Sequence, residues 1–208
     1  AQASPYFRDT IGRLVDAKAP LSEFPTMNKA VLMAEFDHIV TDPKLTRALV
    51  ERHVESPDVG QLLLDKYRAA ATGGSSGQRG VFVYDPEAWE LTVGNIRRMQ
   101  RLMSNSPAAR YIGIGAPSPV HLSNRFYAEA RVGYPDAPRL SVTTPMAEVV
   151  EALNRYRPDV VATYPSFIRR LAEEQIAGRL TIAPIAFRSV AEALSPDVRD
   201  LVRDTWNA

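Results

Sequence analysis

Cysteine is absent from the 208 residues, and with it go disulfide frameworks, thiolate nucleophiles and zinc knots. Lysine is scarce: Lys18, Lys29, Lys44 and Lys66 are the full set, and beyond residue 80 every basic residue except His121 is arginine. A mechanism that needs a lysine after that point cannot be completed within this chain. Charge of either sign is not in excess, since 25 Lys and Arg face 24 Asp and Glu. No segment gathers basic residues with interleaved aromatics, so the sequence offers no footprint for nucleic acid or for an anionic membrane. No apolar run approaches the ~18 residues of a membrane span and no signal-peptide pattern is visible, which makes a cytoplasmic protein the default expectation. What remains, 45% hydrophobic and 24% charged, is enough to bury a core in one large domain or two small lobes.

One stretch speaks about chemistry. Ala70-Ala71-Thr72-Gly73-Gly74-Ser75-Ser76-Gly77-Gln78-Arg79-Gly80 packs glycines and hydroxyls between two short apolar runs. Glycines let a backbone approach a ligand closely, Thr72, Ser75 and Ser76 add hydroxyls beside exposed N–H groups, and Arg79 adds positive charge. That is a phosphate-holding composition. By composition alone a flexible Gly/Ser turn is the simpler reading, and the flanks argue against it. Tyr67 to Ala71 and Val81 to Tyr84 have strand length, so the pattern is strand, loop, strand. A mononucleotide P-loop ends Gly-Lys-Ser/Thr and enters a helix, and a dinucleotide fingerprint opens a helix; here no lysine follows and Val81-Phe82-Val83-Tyr84 is β-prone.

Around this loop the chain falls into an ordered series. Tyr6, Phe7, Ile11, Leu14 and Val15 predict a first helix with Pro5 in its first turn, and Ala30 to Phe36 predict a second. Asp42-Pro43 reads as a cap and first helical position for a helix carrying Leu45, Leu49 and Val50 that stops before Pro57. Asp85-Pro86 repeats that signal before Trp89, Val93, Ile96, Met99 and Met103, a stripe with one buried face. Tyr111 to Gly115 predicts a buried strand running into a Gly/Pro turn, with a helix through Leu122, Phe126 and Tyr127. From Arg139 the alternation is regular: strand Leu140 to Val142, helix through Leu153, strand Val160 to Thr163, helix through Ile176, Gly178 at its end, strand Ile185 to Val190, and a last helix opened by Ser195-Pro196. The fold expected is α/β, a mostly parallel sheet with flanking helices. Residues 1–66 form a helical amino-terminal segment and 67–208 the α/β core. His121, just past the carboxyl end of a strand, lies where open α/β sheets place ligands and is a candidate pocket residue. His38 and His53 have no partners at metal-ligand spacing, and no metal site is expected.

Several stretches together resemble the adenylate-forming superfamily, in its phenylacetate-CoA ligase-like branch. Thr72-Gly73-Gly74-Ser75-Ser76-Gly77 is similar to the family's phosphate loop, usually Thr/Ser-Ser-Gly-Thr/Ser-Thr-Gly between two strands. Phe24-Pro25-Thr26-Met27-Asn28-Lys29 with Glu35-Phe36-Asp37, then Leu153-Asn154-Arg155-Tyr156-Arg157-Pro158-Asp159, Tyr164-Pro165-Ser166, and Ala172-Glu173-Glu174-Gln175 with Gly178-Arg179-Leu180 follow in family order. The resemblance runs from about Ser4 to Trp206, and the chain reads as the amino-terminal, incomplete part of the large domain of such an enzyme. It implies carboxylate activation with ATP, release of pyrophosphate, and transfer of the acyl group to a thiol, usually that of CoA, with an aryl or arylacetic acid as substrate and Mg2+ as the metal. By resemblance Thr72, Gly73, Gly74, Ser75, Ser76 and Gly77 hold the ATP phosphates, with Arg79 standing where relatives carry Pro-Lys. Tyr164, Pro165 and Ser166 border the acyl pocket together with His121, and Ala191 and Glu192 the adenine. The family's Tyr-Gly-x-Thr-Glu stretch, its ribose-binding aspartate and its late catalytic lysine do not occur in these residues, so little adenylation by this piece alone is expected.

Two other classes compete. A catalytically inactive adenylation-like module that binds a nucleotide or a partner protein would lack a following Tyr-Gly-x-Thr-Glu stretch. A different phosphotransferase is disfavoured, because no Walker lysine and no Asp/Asn pair at metal-binding spacing accompany the loop. A sheet edge left unpaired would invite homo-oligomer formation.

Overall fold

A computed structural model describes residues 3–56, 61–73, 79–104, 109–130 and 136–207, with side chains left aside at 103–104 and 127–130. The chain forms two compact units, Ala1–Trp89 and Glu90–Ala208.

In the first unit α1 (Pro5–Asp16) begins with proline in its first turn, where the missing N–H costs nothing. A 3-10 turn (Leu21–Glu23) leads to α2 (Lys29–Ala34), capped by Asn28, whose Oδ1 accepts from Val31 N at 2.9 Å. The predicted second helix breaks at Glu35, and α3 (Phe36–Ile39) follows as a separate turn. The helix expected at Asp42-Pro43 starts later, as α4 (Arg47–Glu55) with Thr46 as cap, its Oγ1 accepting from Leu49 N at 3.2 Å. The reason is competition for the Asp42 carboxylate: one oxygen accepts from Lys44 N (2.9 Å) and the other from the Tyr67 hydroxyl (2.7 Å), which closes a turn instead of opening a helix. Met33, Phe36, Leu45, Val50 and Val54 are buried, and α4 packs on the hairpin of β1 (Arg68–Ala71) and β2 (Val81–Tyr84). These strands pair antiparallel from Arg68↔Tyr84 to Ala71↔Val81, and Val81 N donates to the Met33 sulfur at 3.4 Å.

Helix α5 (Pro86–Ser104) is capped as predicted, Asp85 Oδ1 accepting from Ala88 N at 2.8 Å. Trp89 and Val93 are buried, but the stripe departs from expectation further on: Met99 is 42% exposed and Gln100 only 4%. Gln100 lies seven residues after Val93, nearly on the same helical face, and Met99 does not.

The second unit is an α/β layer. Strands β3 (Tyr111–Gly113), β4 (Val160–Thr163) and β5 (Ala186–Ser189) pair in parallel in the order β3-β4-β5. Central β4 is buried at all four residues, as strands covered on both faces must be. Val161 packs with Ile112, Ile114, Leu153, Phe167 and Leu171, whereas Val160 and Ala162 pack with Tyr111 on the opposite face. The unit also contains helices α6 (Leu122–Ala130), α7 (Met146–Tyr156), α8 (Pro165–Ile176) and α9 (Pro196–Trp206), of which α7 and α8 pack Val149, Leu153, Phe167 and Leu171 against the sheet. Helix α9 lies on α8 through Ile168, Val198 and Val202, with the Trp206 ring 4.5 Å from that of Phe187. The strand expected at Leu140 to Val142 shrinks to one parallel bridge, Gly115↔Ser141. Ser141 N donates to Thr144 Oγ1 (3.0 Å) and Thr144 N to Ser141 O (3.0 Å), so a hydroxyl-rich turn takes the backbone groups a longer strand would need.

Candidate functional site

The loop and the carboxyl ends of the parallel strands are each built by local rules. At the loop, the β1–β2 ladder is extended by one further pair. Thr72 N donates to Gly80 O (2.8 Å), and Gly80 N donates back to the Thr72 hydroxyl (2.9 Å). Gly80 is buried, and a Cβ there would sit 3.2 Å from the Phe82 ring and 3.4 Å from Thr72 Oγ1. A side chain there would crowd the point at which the loop's two ends close. Gly73 lies exposed beside that mouth, while Gly74, Ser75, Ser76 and Gly77 lie outside the described residues. Arg79 is held loosely: its Nη1 is 3.8 Å from Glu55 Oε1 at the end of α4, with both side chains well exposed. Such a pair is worth well under ~1 kcal/mol, so an incoming phosphate can displace the carboxylate.

At the sheet, the chain leaves β3, β4 and β5 through Gly115, Tyr164 and Val190. After β3, Asn124 of α6 donates its amide hydrogens to Ala116 O and to Ser118 O (2.8 Å), pinning the turn, and His121 N donates to Ser118 O (3.1 Å). The His121 ring meets Ser123 Oγ at 2.8 Å through Nδ1, and partial burial holds its imidazole below the ordinary value. A side chain at Gly115 would begin 3.6 Å from Ser123 Oγ, 3.8 Å from Asn124 Oδ1 and 4.0 Å from the Tyr164 hydroxyl. Three polar groups from two elements thus converge at the end of β3. Thr163, fully buried, ends β4 with a hydroxyl that has no hydrogen-bond partner among the described residues.

After β4, Tyr164 occupies the cap position of α8 without a side-chain cap, and Pro165, buried in the first turn, has no N–H to give. The first amide needing a partner is that of Ser166. It donates to Glu192 Oε2 (3.0 Å), and the Ser166 hydroxyl donates to Glu192 Oε1 (2.9 Å). Glu192 follows Ala191, whose φ of 64° is left-handed and uncommon for a residue with a Cβ.

The sequence-derived candidates therefore divide. His121 and Tyr164 are gathered at the end of β3 through Ser123, Asn124 and Gly115, and Ser166 and Glu192 are joined directly. Thr72, Gly73 and Arg79 belong to the hairpin of the other unit. Ser123, Asn124, Gly115 and Thr163 were missed; the polar run His121-Leu122-Ser123-Asn124 entering a helix after a Gly/Pro turn was the available signal. Among the described residues no group of three or more His, Asp and Glu side chains is placed to hold a metal ion, and no helix is long and apolar enough to cross a membrane.

No protein-family model matches the chain, and no curated protein matches it in sequence. Solved structures do match. An open conformation of 2-hydroxyisobutyryl-CoA ligase in complex with 2-HIB-AMP and CoA superposes on all of this chain with a TM-score of 0.65 at 16% identity, over 48% of its own length. The same ligase in its postadenylation state with 2-HIB-AMP gives 0.68 at 16% identity over 43% of its length. In its thioesterification state, with 2-HIB-AMP and CoA, it gives 0.66 at 17% over 44%. The chain spans less than half the length of each of these structures. Its fold is therefore an α/β fold shared with part of 2-hydroxyisobutyryl-CoA ligase, an adenylate-forming enzyme.

Proposed function

We propose that this chain is the amino-terminal part of an ATP-dependent carboxylate-activating ligase that forms an acyl-adenylate and then a thioester with CoA. The observation that carries the reading is the superposition of all 208 residues on a CoA ligase held with an acyl-AMP and CoA. The hairpin supports it, because a glycine-rich loop closed between two antiparallel strands is the setting the phosphate-loop resemblance requires. In this reading residues 1–66 are a helical amino-terminal segment and 67–208 an incomplete adenylation-domain core, on the phenylacetate-CoA ligase-like branch, with an aryl or arylacetic acid as substrate.

The roles follow from the donors each segment offers. The loop from Thr72 to Gly77 gives N–H groups and hydroxyls to the β- and γ-phosphates, and Arg79 leaves Glu55 to neutralise them. Held so, the pyrophosphate is a stable leaving group while a carboxylate oxygen attacks the α-phosphorus, and orientation supplies much of the rate. His121 and Tyr164 border the acyl group, and Ala191 and Glu192 lie on the adenine side. Mg2+, implied by the resemblance, finds no set of three or more ligands among the described residues.

Pyrophosphate exchange by the protein that carries this chain, measured against aryl, arylacetic and aliphatic acids, tests the reading. Exchange that depends on an aryl or arylacetic acid is expected. Release of ADP, or nucleotide binding with no exchange for any acid, would overturn it in favour of a phosphotransferase or an inactive binding module.

A further inference from the structure

The turn after β5 is not free to choose its own shape. Val190 N donates to Thr163 O at 3.1 Å, and two residues later Glu192 accepts twice from Ser166. Between these tethers sits Ala191 at φ 64°, a conformation that glycine adopts freely and alanine adopts only when its neighbours are fixed. Both tethers end on one short segment, Thr163 to Ser166, which contains Tyr164. The demand for Glu192 arises locally: Pro165 brings no N–H, Tyr164 supplies no cap, and Ser166 presents the first orphan amide and a hydroxyl at the positive end of a 12-residue helix. A carboxylate 26 residues further on in the chain meets that demand with both of its oxygens.

We propose that Glu192 is a positioning residue: its carboxylate clamps the turn after β5 to the amino end of α8 and so holds Ala191 in the shape that faces the nucleotide base. This rests on the reading above and changes one part of it. With both oxygens committed to Ser166, Glu192 acts on the nucleotide through Ala191. The clamp also ties the adenine-side turn to Tyr164 on the acyl side, so the two half-sites of an adenylation reaction are fixed to each other by three hydrogen bonds.

The test is titration of the folded chain with AMP, followed by the amide resonances of residues 164–166 and 190–192, with a thermal melt of each variant alongside. Glu192→Ala is expected to weaken AMP about fivefold, the scale of a lost charge-assisted hydrogen bond discounted for exposure. Ser166→Thr keeps both donors and should hold AMP affinity within about twofold of the parent. Glu192→Gln keeps an acceptor for Ser166 and falls between them; it carries the comparison if Glu192→Ala does not fold. A lowered melting temperature with unchanged AMP affinity means that the contact only stabilises the fold, and overturns the proposal. An unsubstituted chain that shows no AMP-dependent shift at 190–192 overturns the nucleotide reading as well, so the two failures are distinguished.

Discussion

Gly80 and Thr72 show how much a loop's function rests on the pair that closes it. The Thr72 hydroxyl satisfies the N–H of a buried glycine, and a methyl on that glycine would press on the Phe82 ring at 3.2 Å and on that same hydroxyl at 3.4 Å. Thr72→Val keeps the shape and removes the acceptor, which leaves the Gly80 N–H unpaired and should cost about 1–3 kcal/mol. Thr72→Ser should recover most of that loss. Urea unfolding of the two variants beside the parent measures it, and equal midpoints would show that the hydroxyl contributes nothing to closure. The sequence showed that Thr72 and the glycines belonged to one loop. It did not show that Thr72 spends an acceptor on Gly80, because that pairing depends on where β1 and β2 set their register.

Elements were legible where their end signals were local, and were misread where a distant residue competed. Asp85 and the prolines at the starts of α1 and α9 act within their own helices, and those helices begin where expected. Asp42 carries the same signal but is taken by Tyr67, 25 residues away, and α4 starts at Arg47 with Thr46 as its cap instead. Gln100 enters a buried face in place of Met99 because the helix's facing, which the pattern defines only within about a residue, was fixed by packing. Helix ends give a cleaner prediction. Gly178 ends α8 at φ 74° with open space around its Cα, so a side chain there meets no neighbour and the penalty is conformational alone. Gly178→Ala should lose about 1 kcal/mol in a denaturant titration. Arg157 at φ 50° ends α7 in the same region and already bears that cost; a loss near zero at Gly178 would mean that the turn relaxes out of the left-handed region.

At the scale of the whole molecule, the proposed carboxylate activation would call on groups that the resemblance implies and these 208 residues lack. They hold no lysine after Lys66 and no Tyr-Gly-x-Thr-Glu stretch, and they span less than half of the ligase structures they match. The isolated chain should therefore show pyrophosphate exchange at the background of an acid-free control. Robust acid-dependent exchange by these residues alone would refute that assignment of missing groups. On the proposed reading the loop's phosphate donors and the adenine-side turn are present here while the ribose-binding aspartate and the late lysine are not, so binding and turnover separate in this chain.

The sequence by itself determined the classes of element, their alternation into a parallel sheet, the strand-flanked loop, and the exclusion of both P-loop and dinucleotide chemistry. These follow from periodicity, caps and turn residues, which act over a few positions of the chain. Tertiary structure decided which groups were already spoken for: Asp42 by Tyr67, and above all Glu192 by Ser166. A hydrogen bond between residues 26 positions apart depends on the parallel pairing of β4 with β5 bringing the ends of two strands side by side. No local pattern records that.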